Sequence, residues 1–223
     1  MRSPNPAAIA IYDLDRTITR APTFTPFLLF AAAQRAPWRL LALPAWIAAL
    51  IGYKLKFYGR DPMKAFGVRL FIGRWLSEQD ADALAARFIA RLETRRRFLP
   101  GALATIAADR ARGAKLIVVT AAPQFYADAI ARHLGFDDCL STCHRRGADG
   151  SHSCHLAARN NYGPEKMARL RGWLAGQGLE RADCHIVAYS DHRSDAPMLD
   201  WADEGVFVGK APAGSGWRSV NWN

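Results

Sequence analysis

The stretch AIAIYDLDRTIT, Ala8–Thr19, places two acidic residues directly after a short apolar run. The apolar part has no polar alternation, which is typical of a strand that is covered on both faces in a parallel sheet. Asp13 and Asp15 follow at the carboxyl end of that strand. Residues two apart in an extended segment point the same way, so both carboxylates can face one reacting group.

Runs of the same kind, separated by helical patterns, predict the rest of the sheet. The strand-like runs are Ala7–Tyr12, Lys115–Val119, His185–Tyr189 and Gly205–Val208. The helical patterns at 100–113 and 123–135 each begin with a proline and stop at a glycine, as helices in proteins commonly do. This alternation predicts an α/β fold with an open, doubly wound parallel sheet.

Residues 18–97 interrupt the alternation and read as helix throughout. Ser77 is a candidate N-cap of an amphipathic helix, with Asp80 three residues further on. We therefore predict a catalytic core formed by residues 1–17 and 98–223, with residues 18–97 inserted as an all-helical cap.

The cap contains an uncharged stretch, Leu40–Tyr53, which is shorter than the roughly 17–25 residues of a membrane-spanning helix. Basic and aromatic residues flank it, which suits a membrane interface; they are Trp38, Arg39, Trp46, Lys54, Lys56, Phe57, Tyr58 and Arg60. A second apolar run, Phe24–Ala33, favours the same interpretation. The alternative is an ordinary buried helix within the cap.

Polar residues at the other strand ends complete a candidate site, since ligands of open α/β sheets bind beyond the carboxyl ends of the strands. Thr120 precedes a helix predicted to start near Pro123, where a hydroxyl suits a phosphate oxygen. Asp191 and Asp195 follow the third strand, and Lys166 lies near the start of another helix.

Several carboxylates that converge on one crevice repel each other, and a divalent cation relieves that repulsion. A site that offers only oxygen ligands suits Mg²⁺. A magnesium site, a lysine and a helix N-terminus that could bind phosphate together predict an enzyme of phosphoryl transfer. A carboxylate nucleophile that forms an aspartyl-phosphate is one covalent route for such chemistry.

The motifs DLDRT, VVTAAP, GPEK and YSDHRSD, in this order, resemble those of the haloacid dehalogenase superfamily, and the match spans the whole predicted core. The resemblance implies that Asp13 is the nucleophile and that Asp15 protonates the leaving group and then activates water. It implies that Thr120 and Lys166 bind the phosphoryl group, and that Thr17 supports the first loop within the same phosphate-binding set.

The same resemblance implies a Mg²⁺ site formed by Asp13, Asp15 through its main-chain carbonyl, and Asp191, with Asp195 behind it. An acid at position 15 favours a phosphatase over a dehalogenase, because an alkoxide leaving group needs a proton. Two features depart from the usual fourth motif: Tyr189-Ser190 replaces a common glycine, and His192-Arg193 is bulky.

The position of the cap is similar to that in the branch with phosphoserine phosphatases. Its apolar, proline-interrupted sequence resembles the cap of bacterial phosphatidylglycerophosphate phosphatases of the superfamily. We therefore expect a Mg²⁺-dependent phosphomonoester phosphatase that acts on a phospholipid headgroup phosphate. The alternatives are a phosphatase of a soluble monoester such as phosphoserine, and a catalytically dead membrane-docking or regulatory module.

Composition bears on partners and compartment. The 223-residue chain carries a formal net charge of +10, which favours an anionic partner such as a phosphorylated small molecule, a lipid headgroup or an anionic membrane surface. Nothing beyond this bulk charge suggests nucleic acid, and a solvated basic surface explains most of it. The N-terminal MRSPNPAA lacks the features of a secretory signal, which predicts a cytoplasmic protein, peripheral on the inner face of the membrane, with free thiols.

Residues 139–155 are rich in cysteine and histidine, which are the usual zinc ligands. Their spacing contains no C-x₂-C pair. The GADG centre of this stretch reads as the turn of a hairpin. The sequence leaves open whether this stretch binds zinc, and it leaves the oligomeric state open.

Overall fold

The structure is a computed structural model and describes residues 6–223. Residues 1–5, which belong to the predicted core and to the stretch MRSPNPAA, lie outside the described residues. A six-stranded sheet forms the centre, in the order β4-β3-β1-β7-β8-β9, with every neighbouring pair parallel. Its strands are β1 (Ala7–Tyr12), β3 (Lys115–Pro123), β4 (Asp138–Thr142), β7 (Cys184–Ser190), β8 (Glu204–Val208) and β9 (Arg218–Val220).

Helices cover both faces of this sheet, as predicted from strands that are apolar throughout and do not alternate with polar residues. They are α5 (Pro100–Ala111), α6 (Gln124–His133), α7 (Pro164–Gly176) and α8 (Ala196–Trp201). Successive residues of β1 belong to different apolar clusters: Ala10 and Tyr12 pack in one, Ile9 and Ile11 in the other. The α/β fold class with a doubly wound parallel sheet is therefore confirmed.

All four predicted strands are present, and three of them are longer than expected, β3 by four residues. Strand β3 continues to Pro123, so Thr120 lies within the strand and not beyond it. Strand β1 lies between β3 and β7, with Ile11 beside both Ile117 and Ala188. This central position places Asp13, which follows β1, between the ends of the two neighbouring strands.

The segment between β1 and α5 is mostly helical. It comprises α1 (Phe24–Arg35), a 3₁₀ helix (Pro37–Ala42), α2 (Leu43–Lys54), α3 (Arg60–Phe71) and α4 (Glu78–Thr94). The hydroxyl of Ser77 accepts the amide of Asp80 at 3.1 Å, which confirms the predicted N-cap of α4. The division into a core and a cap at residues 18 and 97 stays a prediction.

The helical prediction for this segment is wrong at β2 (Trp75–Leu76), which pairs with a hairpin far along the chain. That hairpin is formed by β5 (His144–Arg146) and β6 (His152–Leu156), so the predicted turn around GADG is confirmed. The pairing joins the helical segment to the residues after β4. Two-residue strands escape pattern analysis because their only signal is the distant partner.

Helices α1 and α2 differ in how they bury their apolar residues. In α1 four residues are fully buried, namely Phe27, Leu28, Ala31 and Ala32, so the run Phe24–Ala33 packs inward and does not extend a membrane interface as expected. In α2 only Trp46 is fully buried. None of the helices described between residues 6 and 223 is both long and apolar enough to cross a membrane.

Candidate active site

A cavity of about 280 Å³ opens at the carboxyl ends of β1, β3 and β7. It is lined by Asp13, Asp15, Arg16, Pro22, Arg60, Thr120, Ala121, Tyr162, Lys166, Asp191, His192, Ser194 and Asp195. Six of the seven predicted site residues are in this lining. The seventh, Thr17, is fully buried behind Asp191.

Lys166 forms the centre of a buried ionic cluster. Its Nζ donates to Asp13 Oδ1 at 2.6 Å and to Asp195 Oδ2 at 2.7 Å. The three side chains are only 4%, 10% and 3% exposed, respectively. Burial disfavours the charge of Lys166, but the two aspartates outweigh this effect and raise its pKa, so the ammonium is retained.

The start of α7 explains how this lysine reaches the cavity. Gly163 adopts a φ of 59°, a left-handed conformation that glycine tolerates, and Pro164 begins the helix directly after it. Lys166 is therefore in the first turn of α7, with its side chain directed at the end of β1.

Asp13 carries a strongly perturbed carboxyl group. The pKa of Asp13 is raised to about 7, chiefly by burial; Lys166 opposes this rise, and the nearby Asp195 and Asp15 contribute to it. The cavity thus contains more negative charge than its lysine neutralises. A cation beside Asp13 would favour its ionised form.

Asp15 is held from the helical segment, by a residue that sequence reasoning missed. Thr23, the residue before α1, donates to Asp15 Oδ1 from its main-chain nitrogen at 2.8 Å and from its hydroxyl at 2.7 Å. The Thr23 hydroxyl is also 3.0 Å from the hydroxyl of Tyr126. Burial raises the pKa of Asp15, although both bonds from Thr23 lower it, so this carboxyl is suited to carry a proton.

Thr17 and Asp191 join the first and fourth motifs. The main-chain nitrogen of Asp191 donates to Thr17 Oγ1 at 3.0 Å, and that hydroxyl lies 3.3 Å from Asp191 Oδ1. Burial raises the pKa of Asp191, and the bond from Thr17 lowers it. Thr17 therefore orients Asp191 and does not line the cavity, and its expected membership of the phosphate-binding set stays a prediction.

Ser190, the departure from the usual glycine, has a defined place in the site. Its hydroxyl donates to Asp195 Oδ2 at 2.7 Å, the same oxygen that accepts from Lys166. Asp195 is thereby fixed by two donors and in turn positions the lysine. A sequence pattern that treats position 190 as a spacer has no signal for this bond.

Helix α3 contributes two basic side chains that reach this region from the helical segment. Lys64 is buried; it donates to Asn160 Oδ1 at 2.6 Å and to the carbonyl of Ala121. The Arg60 guanidinium lies 3.5 Å above the ring of Tyr162, and both residues line the cavity. Arg60 was expected to flank a membrane interface; the structure places it in the cavity instead. Its spacing of four from Lys64 is the signal that could have indicated a shared face.

The oxygen donors of the site fit Mg²⁺. Asp13 and Asp191 would supply carboxylates, and the main-chain carbonyl of Asp15 is the third ligand that the resemblance implies. The Asp15 side chain itself is engaged by Thr23. Among residues 6–223 no three Cys, His, Asp or Glu side chains are grouped so that they could hold a metal ion by themselves. The predicted set needs only two such side chains together with the carbonyl and water.

The Cys/His-rich stretch lies apart from this cavity. The rings of His144 and His152 pack against Phe125, with centroids 5.0 and 5.7 Å away. Burial lowers the pKa of His144 to about 4, so this histidine is neutral at pH 7. Two of their ring nitrogens, His144 Nε2 and His152 Nδ1, are buried without a hydrogen-bond partner among the described residues.

Comparisons with known proteins agree with this arrangement. Residues 10–200 match the model of the haloacid dehalogenase-like hydrolases. The protein CicA of Caulobacter vibrioides is 34% identical over 208 residues, which cover 91% of this chain and 87% of CicA.

Solved structures show the same fold. A protein of unknown function from Bordetella pertussis Tohama I has a TM-score of 0.86 and 22% identity, with 98% of this chain and 100% of that chain covered. A phosphoserine phosphatase, solved as an analogue of its phospho-aspartyl intermediate, has a TM-score of 0.59 and 16% identity, with 91% and 86% covered.

The match of the family model extends over most of the sequence and includes all the residues that surround the cavity. It confirms the resemblance carried by the four motifs. This chain therefore belongs to the haloacid dehalogenase-like hydrolase family.

Proposed function

We propose that the chain is a Mg²⁺-dependent phosphomonoester phosphatase that works through an aspartyl-phosphate on Asp13. One observation carries this proposal: Asp13 contacts Lys166 at 2.6 Å in a cavity that also contains Asp15, a second carboxyl with a raised pKa. A nucleophile, a cation and a proton donor are thus present together. Pairs of acids with distinct environments are typical of acid–base catalysis.

In the first step a carboxylate oxygen of Asp13 attacks phosphorus, and the bond between phosphorus and the ester oxygen breaks. Asp15 gives its proton to that departing oxygen, so the product leaves as an alcohol. Lys166 stabilises negative charge on Asp13 and on the phosphoryl oxygens, and Thr120 in the cavity wall is a candidate donor to the same oxygens. Mg²⁺, when bound, would neutralise further charge on the phosphoryl group.

In the second step Asp15, now a carboxylate, takes a proton from a water molecule, whose oxygen attacks phosphorus. The bond from phosphorus to Asp13 breaks, and inorganic phosphate is released. The two hydrogen bonds from Thr23 to Asp15 support its anionic state at this stage. The same carboxyl thus acts as acid and then as base.

We propose a phospholipid headgroup phosphate, such as that of phosphatidylglycerophosphate, as the substrate. The cavity of about 280 Å³ is at the small end of ligand pockets, so it suits a headgroup and not a whole lipid. The net charge of +10 and the exposed apolar residues of α2 support an anionic membrane surface as partner. This would place the enzyme peripherally on the inner face of the cytoplasmic membrane.

A soluble monoester such as phosphoserine is the second candidate. It is favoured by the fold likeness to a phosphoserine phosphatase and by Arg60, whose cation in the cavity suits an extra anionic group on the substrate. A catalytically dead module is the third candidate, since fold alone does not establish activity. The buried Lys166 cluster argues against it, because burying charges without a function is costly.

Turnover of p-nitrophenyl phosphate tests the catalytic proposal. We expect activity that is lost in EDTA and restored by Mg²⁺, that disappears in Asp13→Asn, and that persists in the exposed control Asp82→Asn. Rapid quenching followed by mass spectrometry of the intact protein should detect one added phosphoryl group in the wild type and in Asp82→Asn, and none in Asp13→Asn. An inert wild-type protein with a normal melting transition would instead support the dead module.

A panel of substrates tests the second part of the proposal. We expect micellar phosphatidylglycerophosphate to be hydrolysed with a higher kcat/KM than phosphoserine or lysophosphatidate. A clear preference for phosphoserine would eliminate the lipid assignment and leave the phosphatase assignment intact.

A further inference from the structure

Helix α2 is apolar on both of its faces, although only one face is packed. On the inner face Trp46 is 1% exposed, and its ring centroid lies 6.1 Å from those of both Phe24 and Phe71. The outer stripe repeats every four residues and remains open to solvent; it consists of Leu43, Ile47, Ile51 and Leu55, which are 38%, 50%, 53% and 60% exposed. A helix that is apolar all round is normally covered on all sides.

More exposed apolar side chains flank this stripe along the chain. Trp38 and Leu41 precede it at 67% and 84% exposure, and Phe57 follows it at 77%. We call these three residues and the stripe the α2 face. Single exposed apolar residues are ordinary, but seven large ones within twenty residues mark an interaction surface.

The charge around the α2 face has a single sign. Residues 36–59 contain three basic and no acidic side chains. Arg39 turns inward and donates to the carbonyls of Arg69 and Leu70. Lys54 and Lys56 are exposed and alternate with Leu55 and Phe57 at the end of the helix. The surface therefore combines apolar area with free positive charge.

Apolar surface also continues sideways from α2 onto α3. A groove of about 330 Å³ between the two helices is lined by Ala45, Ala49, Tyr58, Pro62, Met63 and Phe66. Phe66 is 41% exposed. No charged side chain is among these lining residues.

We propose that the α2 face docks onto a bilayer that contains anionic phospholipid, with α2 lying parallel to the membrane plane. Twelve residues of helix span about 18 Å, too short to cross the hydrocarbon core but suited to its boundary. The aromatic residues at the ends and the lysines beside them are the side chains that the headgroup region favours. This docking gives the proposed lipid phosphatase its partner surface, yet it does not depend on any catalytic step.

A bilayer is favoured over a second protein by the pattern of charge. The face carries no acidic residue to pair with its own lysines in a symmetric contact, so two copies would bring like charges together. Anionic headgroups neutralise both lysines at once. Self-association is retained below as an outcome that the measurement separates from lipid binding.

Vesicle co-sedimentation of the full chain tests the docking. The wild type should bind vesicles of phosphatidylglycerol and phosphatidylcholine, bind pure phosphatidylcholine much less, and lose affinity as salt is raised. The Lys54→Gln/Lys56→Gln double variant should bind the anionic vesicles about 30-fold more weakly, from the usual attraction of each basic residue to an anionic surface. The Ile47→Glu/Ile51→Glu variant should lose at least about tenfold on either vesicle.

Two controls make the result specific. Leu103→Glu changes a 39% exposed residue of α5 outside the α2 face and should leave vesicle binding unchanged. Asp13→Asn should bind vesicles like the wild type, so failure of docking and failure of catalysis are scored separately. Circular dichroism melting of each variant checks that the fold is retained.

Three results would overturn the proposal. The first is wild-type protein that stays in the supernatant with anionic vesicles. The second is equal binding to anionic and neutral vesicles. The third is a stable dimer, seen by light scattering, that the Ile47→Glu/Ile51→Glu variant dissociates; this would assign the α2 face to a second copy of the chain.

Discussion

Replacing Lys166 by methionine removes one charge and keeps nearly the same volume. The lysine contacts Asp13 and Asp195 at 2.6 and 2.7 Å, and none of the three side chains is more than 10% exposed. Removing one partner of a buried ion pair leaves an uncompensated charge, which typically costs about 3–5 kcal/mol. We expect the Lys166→Met variant to lose about that much free energy of unfolding at pH 8 in the absence of metal.

A matched surface substitution calibrates this number. Lys115 lies 3.7 Å from Asp138, and the two side chains are 35% and 39% exposed. Exposed pairs of this kind contribute about 0–1 kcal/mol, so the Lys115→Met variant should be almost as stable as the wild type. Urea denaturation in EDTA, followed by fluorescence, measures both variants under identical conditions.

The loss in the Lys166→Met variant should depend on pH with a definite sign. Burial already raises the pKa of Asp13 to about 7, and removing the ammonium raises it further. A carboxyl whose pKa is raised by folding favours the folded state at low pH, and this contribution is lost as pH rises through the raised value. The difference from wild type should therefore shrink between pH 8 and pH 5.

Two outcomes would refute this reasoning. A loss of less than about 1 kcal/mol, similar to that of Lys115→Met, would mean that the cluster is solvated or that its charges are not confined as the structure describes. A large loss that does not change with pH would mean that packing, and not charge, is what the lysine supplies.

Two further substitutions test the contacts made by the helical segment. Thr23→Val removes the hydrogen bond from the Thr23 hydroxyl to Asp15, which should lower kcat about 10-fold or more with little change in KM. Because that bond lowers the pKa of Asp15, its loss should also shift the basic limb of the pH–rate profile to higher pH. An unchanged profile would contradict the role of Thr23. Gly67→Ala places a Cβ 2.8 Å from the Trp46 ring and should cost about 1–3 kcal/mol in thermal unfolding. Gly172→Ala, which meets nothing within 4 Å, should not destabilise, so equal melting of the two variants would contradict the packing around Trp46.

The sequence by itself determined four of the six strands of the sheet, three of the helices beside it and the chemical character of the site, but not the edge strands β4 and β9 or helix α8. Strand β1 is apolar without alternation because both of its faces are covered, and that requirement is visible in consecutive residues. Asp13 and Asp15 follow it at a spacing of two, and the other motifs follow their own strands or begin their own helix. Parallel strands bring their carboxyl ends to one edge, so local patterns were sufficient to place Asp13, Asp15 and Asp191 at the same edge of the sheet.

Only the tertiary structure decided how the helical segment reaches the site and which of its faces is covered. Lys64 donates a hydrogen bond to Asn160, which is 96 residues further along the chain. Thr23 donates to Asp15 across a turn that has no periodic sequence pattern to predict it. The apolar composition of residues 40–53 is equally compatible with a buried helix and with an interfacial one. Burial of Trp46 and exposure of Ile47 are set by the helices that pack against α2, because the direction of a side chain depends on neighbours that are distant in sequence.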